Sequence, residues 1–269
     1  MKQNKLRFGL CVHMVYPETD PIGLDLIPLL KEWGYTYVEF SLRHLMEIPE
    51  ENWKNFCNQV ERNGLPVEAC CNFFPPSQRI TGPEVNFVEL SGYTERALKR
   101  AKDLGAKVVV FGSSGARNLP EGFSRKQGWE QIVQATRMIA HTAEKVGITI
   151  AIEYHHRQEA NVLNSMEEAF ELFHRVDHPN IQLLSDYYHF AYEQEPLRVL
   201  DLAKNHLVHV HFAEVEKRSF PKEAKPEYRS YFEKLREIGY AGAVSVEAFT
   251  NNVEEDAPRA LAILKALAY

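Results

Sequence analysis

Short apolar runs alternate along the chain with longer segments whose apolar residues recur at every third or fourth position. The short runs are rich in β-branched and aromatic residues. There are eight of them: Leu6–His13, Thr36–Leu42, Val67–Phe73, Lys107–Gly112, Thr149–Tyr154, Ile181–Asp186, Leu207–Phe212 and Ala243–Phe249. Short, nearly continuous apolar runs are typical of strands buried on both faces of a parallel sheet. The pattern therefore predicts eight strands separated by helices.

The segments between these runs have the periodicity of amphipathic helices. In Trp129–Val146, the residues Ile132 and Ile139 belong to one apolar face, and charged residues occupy the other. Glycines such as Gly34 and Gly147 follow the helical segments and precede the next strand. Glycine at this position adopts the left-handed conformation that ends a helix, so these glycines predict where a helix ends and the next strand follows.

The strand count and the chain length together indicate the architecture. The chain has 269 residues, which matches the roughly 250 residues of a (β/α)8 TIM barrel. No linker-like segment divides it, so we expect a single domain over residues 1–269. A doubly wound open sheet is the alternative, but it would be expected to carry a glycine-rich phosphate loop after its first strand, and Cys11–Tyr16 is not such a loop.

Charge and composition restrict the partners. The formal net charge is -6, so we expect neither a nucleic-acid nor an anionic-membrane partner. The sequence contains no apolar signal core and no apolar stretch long enough to span a bilayer, and we expect a cytoplasmic protein. The four cysteines lack metal-ligand spacing, and we expect reduced, mostly buried thiols.

Four polar residues end the last four predicted strands. They are Glu153, Asp186, His211 and Glu247. The carboxyl ends of barrel strands share one rim, where TIM-barrel enzymes place their chemistry. Three carboxylates packed together repel one another unless a cation neutralises them, and an imidazole is a compatible fourth ligand. The sequence predicts one divalent metal ion. Mn2+ is expected first, and Mg2+, Co2+ or Zn2+ are compatible. The alternative is four separate residues satisfied by local hydrogen bonds.

With these residues the chain resembles the xylose isomerase-like sugar phosphate isomerase/epimerase superfamily, and it looks most like the D-tagatose/D-psicose 3-epimerase branch. The resemblance covers nearly the whole chain. Five segments carry it in addition to the four ligand positions: Cys71–Pro75, Thr81–Glu84, Phe111–Arg117, Glu153–Asn161 and Asp186–His189. The segment Glu153–Asn161 is similar to the family's Glu-x-x-Asn-Arg-x-Glu pattern, with His156 in place of the usual Asn. The segment Asp186–His189 matches an Asp-x-x-His motif.

The resemblance also implies a set of substrate contacts, to which we add one aromatic residue. The set comprises Glu159, His189, Lys217, Arg218 and Phe74. Glu159 would contact a hydroxyl and His189 a substrate oxygen, although a structural role for His189 is the alternative. The family usually places a substrate-binding arginine after the histidine ligand, and here either Lys217 or Arg218 could take that position. Phe74 could pack against the apolar face of a sugar, whereas most aromatics in such a barrel belong to the core.

Two further polar residues are expected beneath the rim. His209 lies two residues before His211 in the same predicted strand, so both side chains should point inward, with His209 one layer deeper. Glu39 lies in the second predicted strand, and the resemblance suggests that it pairs with a neighbour. We expect a supporting or core role for His209, with metal ligation as the alternative, and no catalytic role for Glu39.

The expected activity is isomerisation or epimerisation of a sugar. Epimerisation beside a ketone removes a C–H proton, stabilises an enediolate and returns the proton from the opposite face. Glu153 and Glu247 are the available acid/base pair, and a metal would act as Lewis acid. Aldose–ketose isomerisation uses the same intermediate.

Other functions remain open within the same fold. They are an inosose dehydratase-like lyase, a non-catalytic sugar-binding barrel and an endonuclease IV-like DNA-repair hydrolase. The last would need further histidines and a basic face, and the net charge of -6 argues against it. The resemblance also implies a homodimer or homotetramer.

Overall fold

The strands form a closed barrel of eight parallel strands in chain order. The computed structural model describes residues 6–16, 19–20 and 22–268. The strands are β1 Arg7–Cys11, β2 Tyr37–Ser41, β3 Val67–Cys71, β4 Val108–Phe111, β5 Thr149–Ile152, β6 Ile181–Asp186, β7 Leu207–Phe212 and β8 Ala243–Val246. The pairing of β1 with β8, in which Phe8 is opposite Val244, closes the barrel. The predicted (β/α)8 fold is confirmed.

The predicted strands extend too far at several ends. β5 stops at Ile152 and β8 at Val246, although apolar residues continue beyond both ends. Residues such as Tyr154 and Ala248 lie beyond the strand ends and are nevertheless buried, at 1% and 0% exposure. An apolar run alone does not distinguish a buried strand from the buried loop residues that follow it.

The helices surround the barrel. Among the described residues the α-helices are α1 Ile27–Trp33, α2 Leu42–Leu45, α3 Glu50–Asn63, α4 Phe87–Asp103, α5 Ser114–Arg117, α6 Arg125–Val146, α7 Met166–Val176, α8 Tyr187–Tyr192, α9 Pro226–Glu237 and α10 Val253–Ala268. The predicted helix Trp129–Val146 begins four residues earlier, where Ser124 caps it by accepting from the Gln127 N–H. It ends as predicted, with Gly147 at φ 74°.

The core has two layers. One lies between the helices and the sheet, and the other is a separate cluster of strand residues such as Cys11, Cys71 and Leu184 in the barrel interior. All four cysteines are free, and three are buried. Among the described helices, none combines the length and apolar character required to cross a bilayer. The expectation that the N-terminus lacks a signal core also concerns residues 1–5, which lie outside the described residues.

Candidate metal centre and substrate site

The four predicted ligand side chains meet at the carboxyl rim of the barrel. Asp186 ends β6, His211 lies in β7, and Glu153 and Glu247 directly follow β5 and β8. One ligand atom from each side chain lies within 4.8 Å of all the others. Their exposed fractions are 5% or less. The structure therefore brings together the residues that the strand ends indicated.

The orientation of His211 suits a metal ligand. Its Nε2 lies 3.0 Å from Glu39 Oε1, and its Nδ1 lies 3.2 Å from Glu153 Oε1 and 3.0 Å from Glu247 Oε2. An ionised carboxylate only accepts hydrogen bonds, so without an ion both ring nitrogens donate, Nε2 to Glu39 and Nδ1 towards Glu153 and Glu247. An ion among the carboxylates would replace the proton on Nδ1, while Nε2 keeps its proton and its contact with Glu39. Metal-binding histidines usually donate their other N–H in this way, which leaves the second nitrogen for the ion.

A second polar layer supports His211 from below. Glu39 is fully buried, and its Oε2 accepts from His209 Nε2 at 2.8 Å and from Ser245 Oγ at 2.5 Å. Burial opposes ionisation of Glu39, but His211 and His209 outweigh it and hold its pKa well below the ordinary value. As predicted, His209 lies deeper than His211.

Burial disfavours the ionised form of two of the three cluster carboxylates, Asp186 and Glu153. Burial raises the pKa of Asp186 to about 7, and Glu153 and Glu247 add to this shift although Arg218 opposes it. Burial also raises the pKa of Glu153. Burial opposes a charge on His211, but Glu247 and Glu39 raise its pKa well above the ordinary value. Such buried carboxylates favour any cation placed among them.

The donor set and the space around it fit a divalent ion. Three carboxylates and one imidazole suit a hard or borderline divalent metal. Gly112 lies directly beside the cluster. A Cβ atom at this position would lie 2.1 Å from Glu153 Oε2, so glycine leaves the space that this carboxylate occupies.

Arg218 reaches into the site and Lys217 does not. Arg218 Nη2 donates to Glu247 Oε2 at 2.5 Å and to Asp186 Oδ2 at 3.1 Å. Its guanidinium also lies over the Tyr188 ring, 4.8 Å from the centroid. Lys217 and Arg218 both adopt positive φ, 58° and 47°. This local turn leaves Lys217 exposed in a surface groove, so its position does not support the expected substrate contact.

The predicted substrate contacts Glu159 and His189 border the same space. Glu159 has a side chain 34% exposed, and its carboxylate lies 3.7 Å from Nε2 of both His155 and His156. His189 is fully buried; its Nδ1 accepts from the His156 backbone N–H at 3.2 Å, and its Nε2 lies 3.5 Å from Asp186 Oδ2. Burial lowers the pKa of His189 well below the ordinary value, so this ring is neutral.

Phe74 belongs to an aromatic cluster. It stacks on Phe73 with ring centroids 4.3 Å apart and also packs against Tyr93 and Phe111. The side chain is 2% exposed. These contacts are those of a core residue, and contact with a substrate stays a prediction.

Comparisons with known proteins identify the family of this chain. The family described as xylose isomerase-like TIM barrel matches residues 27–267. A probable ketose 3-epimerase of Synechocystis sp. is 25% identical over 253 residues, which cover 91% of this chain and 85% of that protein. A 2-oxo-tetronate isomerase of Haemophilus influenzae is 31% identical over 234 residues, covering 83% and 86%.

A solved structure shows the same fold. The D-psicose 3-epimerase of Clostridium cellulolyticum H10, crystallised with D-tagatose, superimposes with a TM-score of 0.86, covering 98% of this chain and 99% of that chain. The two sequences are 18% identical, so this similarity concerns the fold alone. The curated relatives are named as sugar epimerases and isomerases, which does not favour the dehydratase or endonuclease alternatives.

Proposed function

The chain belongs to the xylose isomerase-like TIM barrel family, and from this premise we propose that it is a divalent-metal-dependent ketose 3-epimerase. The observation that carries the proposal is the buried cluster of Glu153, Asp186, His211 and Glu247 at the carboxyl rim. The relatives named as ketose 3-epimerases support the reaction.

The same four residues would hold the ion. Mn2+ is the metal that we propose, and Mg2+ and Co2+ are compatible with the three oxygen donors and one nitrogen donor. When bound, the ion supplies Lewis acidity towards the carbonyl and the neighbouring hydroxyl of the sugar. Glu39 fixes the ring of His211 through the 3.0 Å contact at Nε2.

Glu153 and Glu247 would move the proton. They directly follow β5 and β8, and one carboxylate oxygen of each lies beside His211 Nδ1, at 3.2 and 3.0 Å. One carboxylate removes the proton at C3, and the conjugate acid of the other returns a proton to the opposite face. Arg218 and His189 can donate hydrogen bonds to the oxygens that become negative in the enediolate.

We further propose a free sugar as the substrate. Arg218 already donates to Glu247 and Asp186, and Lys217 is exposed beyond the rim. Arg218 keeps further N–H donors for an oxygen of the sugar, but its charge is already paired with two carboxylates, and Lys217 does not reach the site. The pair therefore does not supply the uncompensated positive charge that a phosphate would require. Glu159, which is partly exposed beside the cluster, is suited to accept from a hydroxyl.

The test uses two isosteric variants in D2O, with a panel of free ketoses and NMR detection of both epimers. We expect Glu153→Gln and Glu247→Gln each to abolish epimerisation, because each lacks one of two proton carriers. Each variant should still exchange the C3 proton of one epimer, and the two variants should differ in which epimer exchanges. Glu68→Gln is the matched control, since Glu68 pairs with Arg7 on β1. Wild-type turnover in either active-site variant would refute the assignment.

Aldose–ketose isomerisation is the second candidate. The 31% identity to a 2-oxo-tetronate isomerase over most of both chains favours it. The same NMR experiment separates the two reactions, because deuterium enters C1 or C2 in an isomerase and C3 in a 3-epimerase.

A further inference from the structure

A fully buried arginine supports the substrate side of the site. Arg117 ends α5, directly after β4, and has 0% exposure. Its Nη1 donates to the Phe111 carbonyl at 3.0 Å, and its Nη2 lies 2.9 Å from His155 Nδ1. Burying a guanidinium costs free energy unless it is hydrogen-bonded, so these two contacts are needed to hold Arg117 in place.

The contact with Arg117 determines where His155 carries its proton. A guanidinium has only donors, so Nδ1 of His155 must accept and cannot hold a hydrogen. A neutral ring then carries its proton on Nε2. This Nε2 lies 3.8 Å from Glu153 Oε2 and 3.7 Å from Glu159 Oε1, both too far for a hydrogen bond. His155 therefore presents an Nε2–H that is accepted by neither the proposed base Glu153 nor the proposed hydroxyl acceptor Glu159.

His189 is constrained in the same way. Its Nδ1 accepts from the His156 N–H, and its Nε2 forms no hydrogen bond within the described residues. The rings of His155 and His189 lie 4.6 Å apart, edge to face. Two N–H donors thus border the Glu159 carboxylate.

These tautomers argue against a second metal ion in this cluster. His155, Glu159 and His189 have ligand atoms close enough for one. A metal, however, needs the lone pair of each Nε2, which is occupied by a proton when Nδ1 accepts a hydrogen bond. His211 differs, because its Nδ1 faces the carboxylates of Glu153 and Glu247, where an ion would replace the proton, whereas Nδ1 of His155 faces a guanidinium. This difference separates the metal half of the site from a hydrogen-bonding half.

We propose that His155 is a substrate-binding residue that donates its Nε2–H to an oxygen of the sugar, and that Arg117 is the positioning residue that fixes this tautomer. The inference rests on the proposed function and deepens it. The ligand class is a polyhydroxylated carbonyl compound, and the oxygen that accepts from His155 is one next to the reacting carbon. His155 and His189 together would hold this oxygen opposite Glu159.

The test compares three variants with the wild type. His155→Leu removes the donor, whereas His155→Gln keeps an N–H donor at a similar reach. We expect kcat/KM to fall about 10- to 100-fold in the leucine variant, as for the loss of a hydrogen bond to an oxygen that gains charge. The glutamine variant should recover most of this loss, and Mn2+ affinity should be unchanged in both. Arg117→Met should lower kcat/KM similarly.

A second readout does not depend on activity. Nitrogen-15 NMR of the wild-type protein loaded with Mg2+ reports which ring nitrogen carries hydrogen, and saturating free ketose is then added. We expect His155 and His189 as Nε2–H tautomers, with the His155 Nε2 resonance shifted by sugar. An Nδ1–H tautomer at His155, or wild-type kcat/KM in His155→Leu, overturns the inference while epimerase activity stands. If no ketose reacts and none shifts this resonance, the proposed function and the inference both fail.

Discussion

Replacing Glu39 by glutamine should weaken metal binding although Glu39 is not a predicted ligand. The carboxylate accepts from two buried imidazoles, His211 at 3.0 Å and His209 at 2.8 Å. The glutamine amide has one acceptor oxygen, so one of these N–H groups would face an NH2 group. If that ring is His211, its proton moves to Nδ1, the nitrogen that faces Glu153 and Glu247.

The expected loss of metal affinity follows from the role of carboxylates that accept a hydrogen bond from a metal-binding histidine. Their loss typically weakens metal affinity about 10- to 100-fold, or about 1.4 to 2.7 kcal/mol. Calorimetric titration of metal-stripped protein with Mn2+ would measure it. Glu68→Gln is the control, because Glu68 is also a strand glutamate with an ion-pair partner but pairs with Arg7, an exposed residue at the start of β1. Affinity within about threefold of wild type in a folded Glu39→Gln protein would refute the reasoning.

Three further predictions concern other parts of the site. Gly112→Ala places a Cβ 2.1 Å from Glu153 Oε2, so we expect about tenfold weaker Mn2+ binding by calorimetry; unchanged binding would contradict this. Arg218→Lys loses the guanidinium contacts with Glu247 and Asp186, so steady-state kinetics should show kcat/KM at least about tenfold lower. Wild-type kinetics in this variant would argue against a substrate role for Arg218. Burial, despite the attraction of Glu247, lowers the pKa of His13 to about 4 from 6.5. The unfolded chain therefore binds this proton first, and stability falls as pH drops from about 6.5 towards 4. In urea unfolding of the metal-stripped protein, the free energy of unfolding should fall less over this pH range in His13→Gln than in the wild type. An equal fall in both proteins would show that His13 is not the cause.

The barrel could be predicted because its strands are buried on both faces. Ile181–Asp186 and Leu207–Phe212 match β6 and β7 residue for residue. The ends of β5 and β8 could not be predicted, because Tyr154 and Ala248 continue the apolar pattern and are buried although they lie beyond the strands.

The candidate metal ligands could be predicted because each one follows an apolar run within its own strand. Each candidate ligand ends an apolar run, and a parallel barrel brings such ends to one rim. The choice between Lys217 and Arg218 depends on two successive left-handed residues, which their side chains do not indicate. The pairing of Arg117 with His155 joins positions 38 residues apart, and no local pattern encodes it.

Deuterium exchange with and without metal tests the central claim most directly. The protein would be stripped of metal, divided, and one half reloaded with Mn2+; both halves would receive the same free ketoses in D2O. The account predicts that NMR shows deuterium at C3 and formation of the C3 epimer in the reloaded half only. Equal exchange in both halves would contradict the metal's role, and no exchange with any ketose or aldose would contradict the proposed reaction.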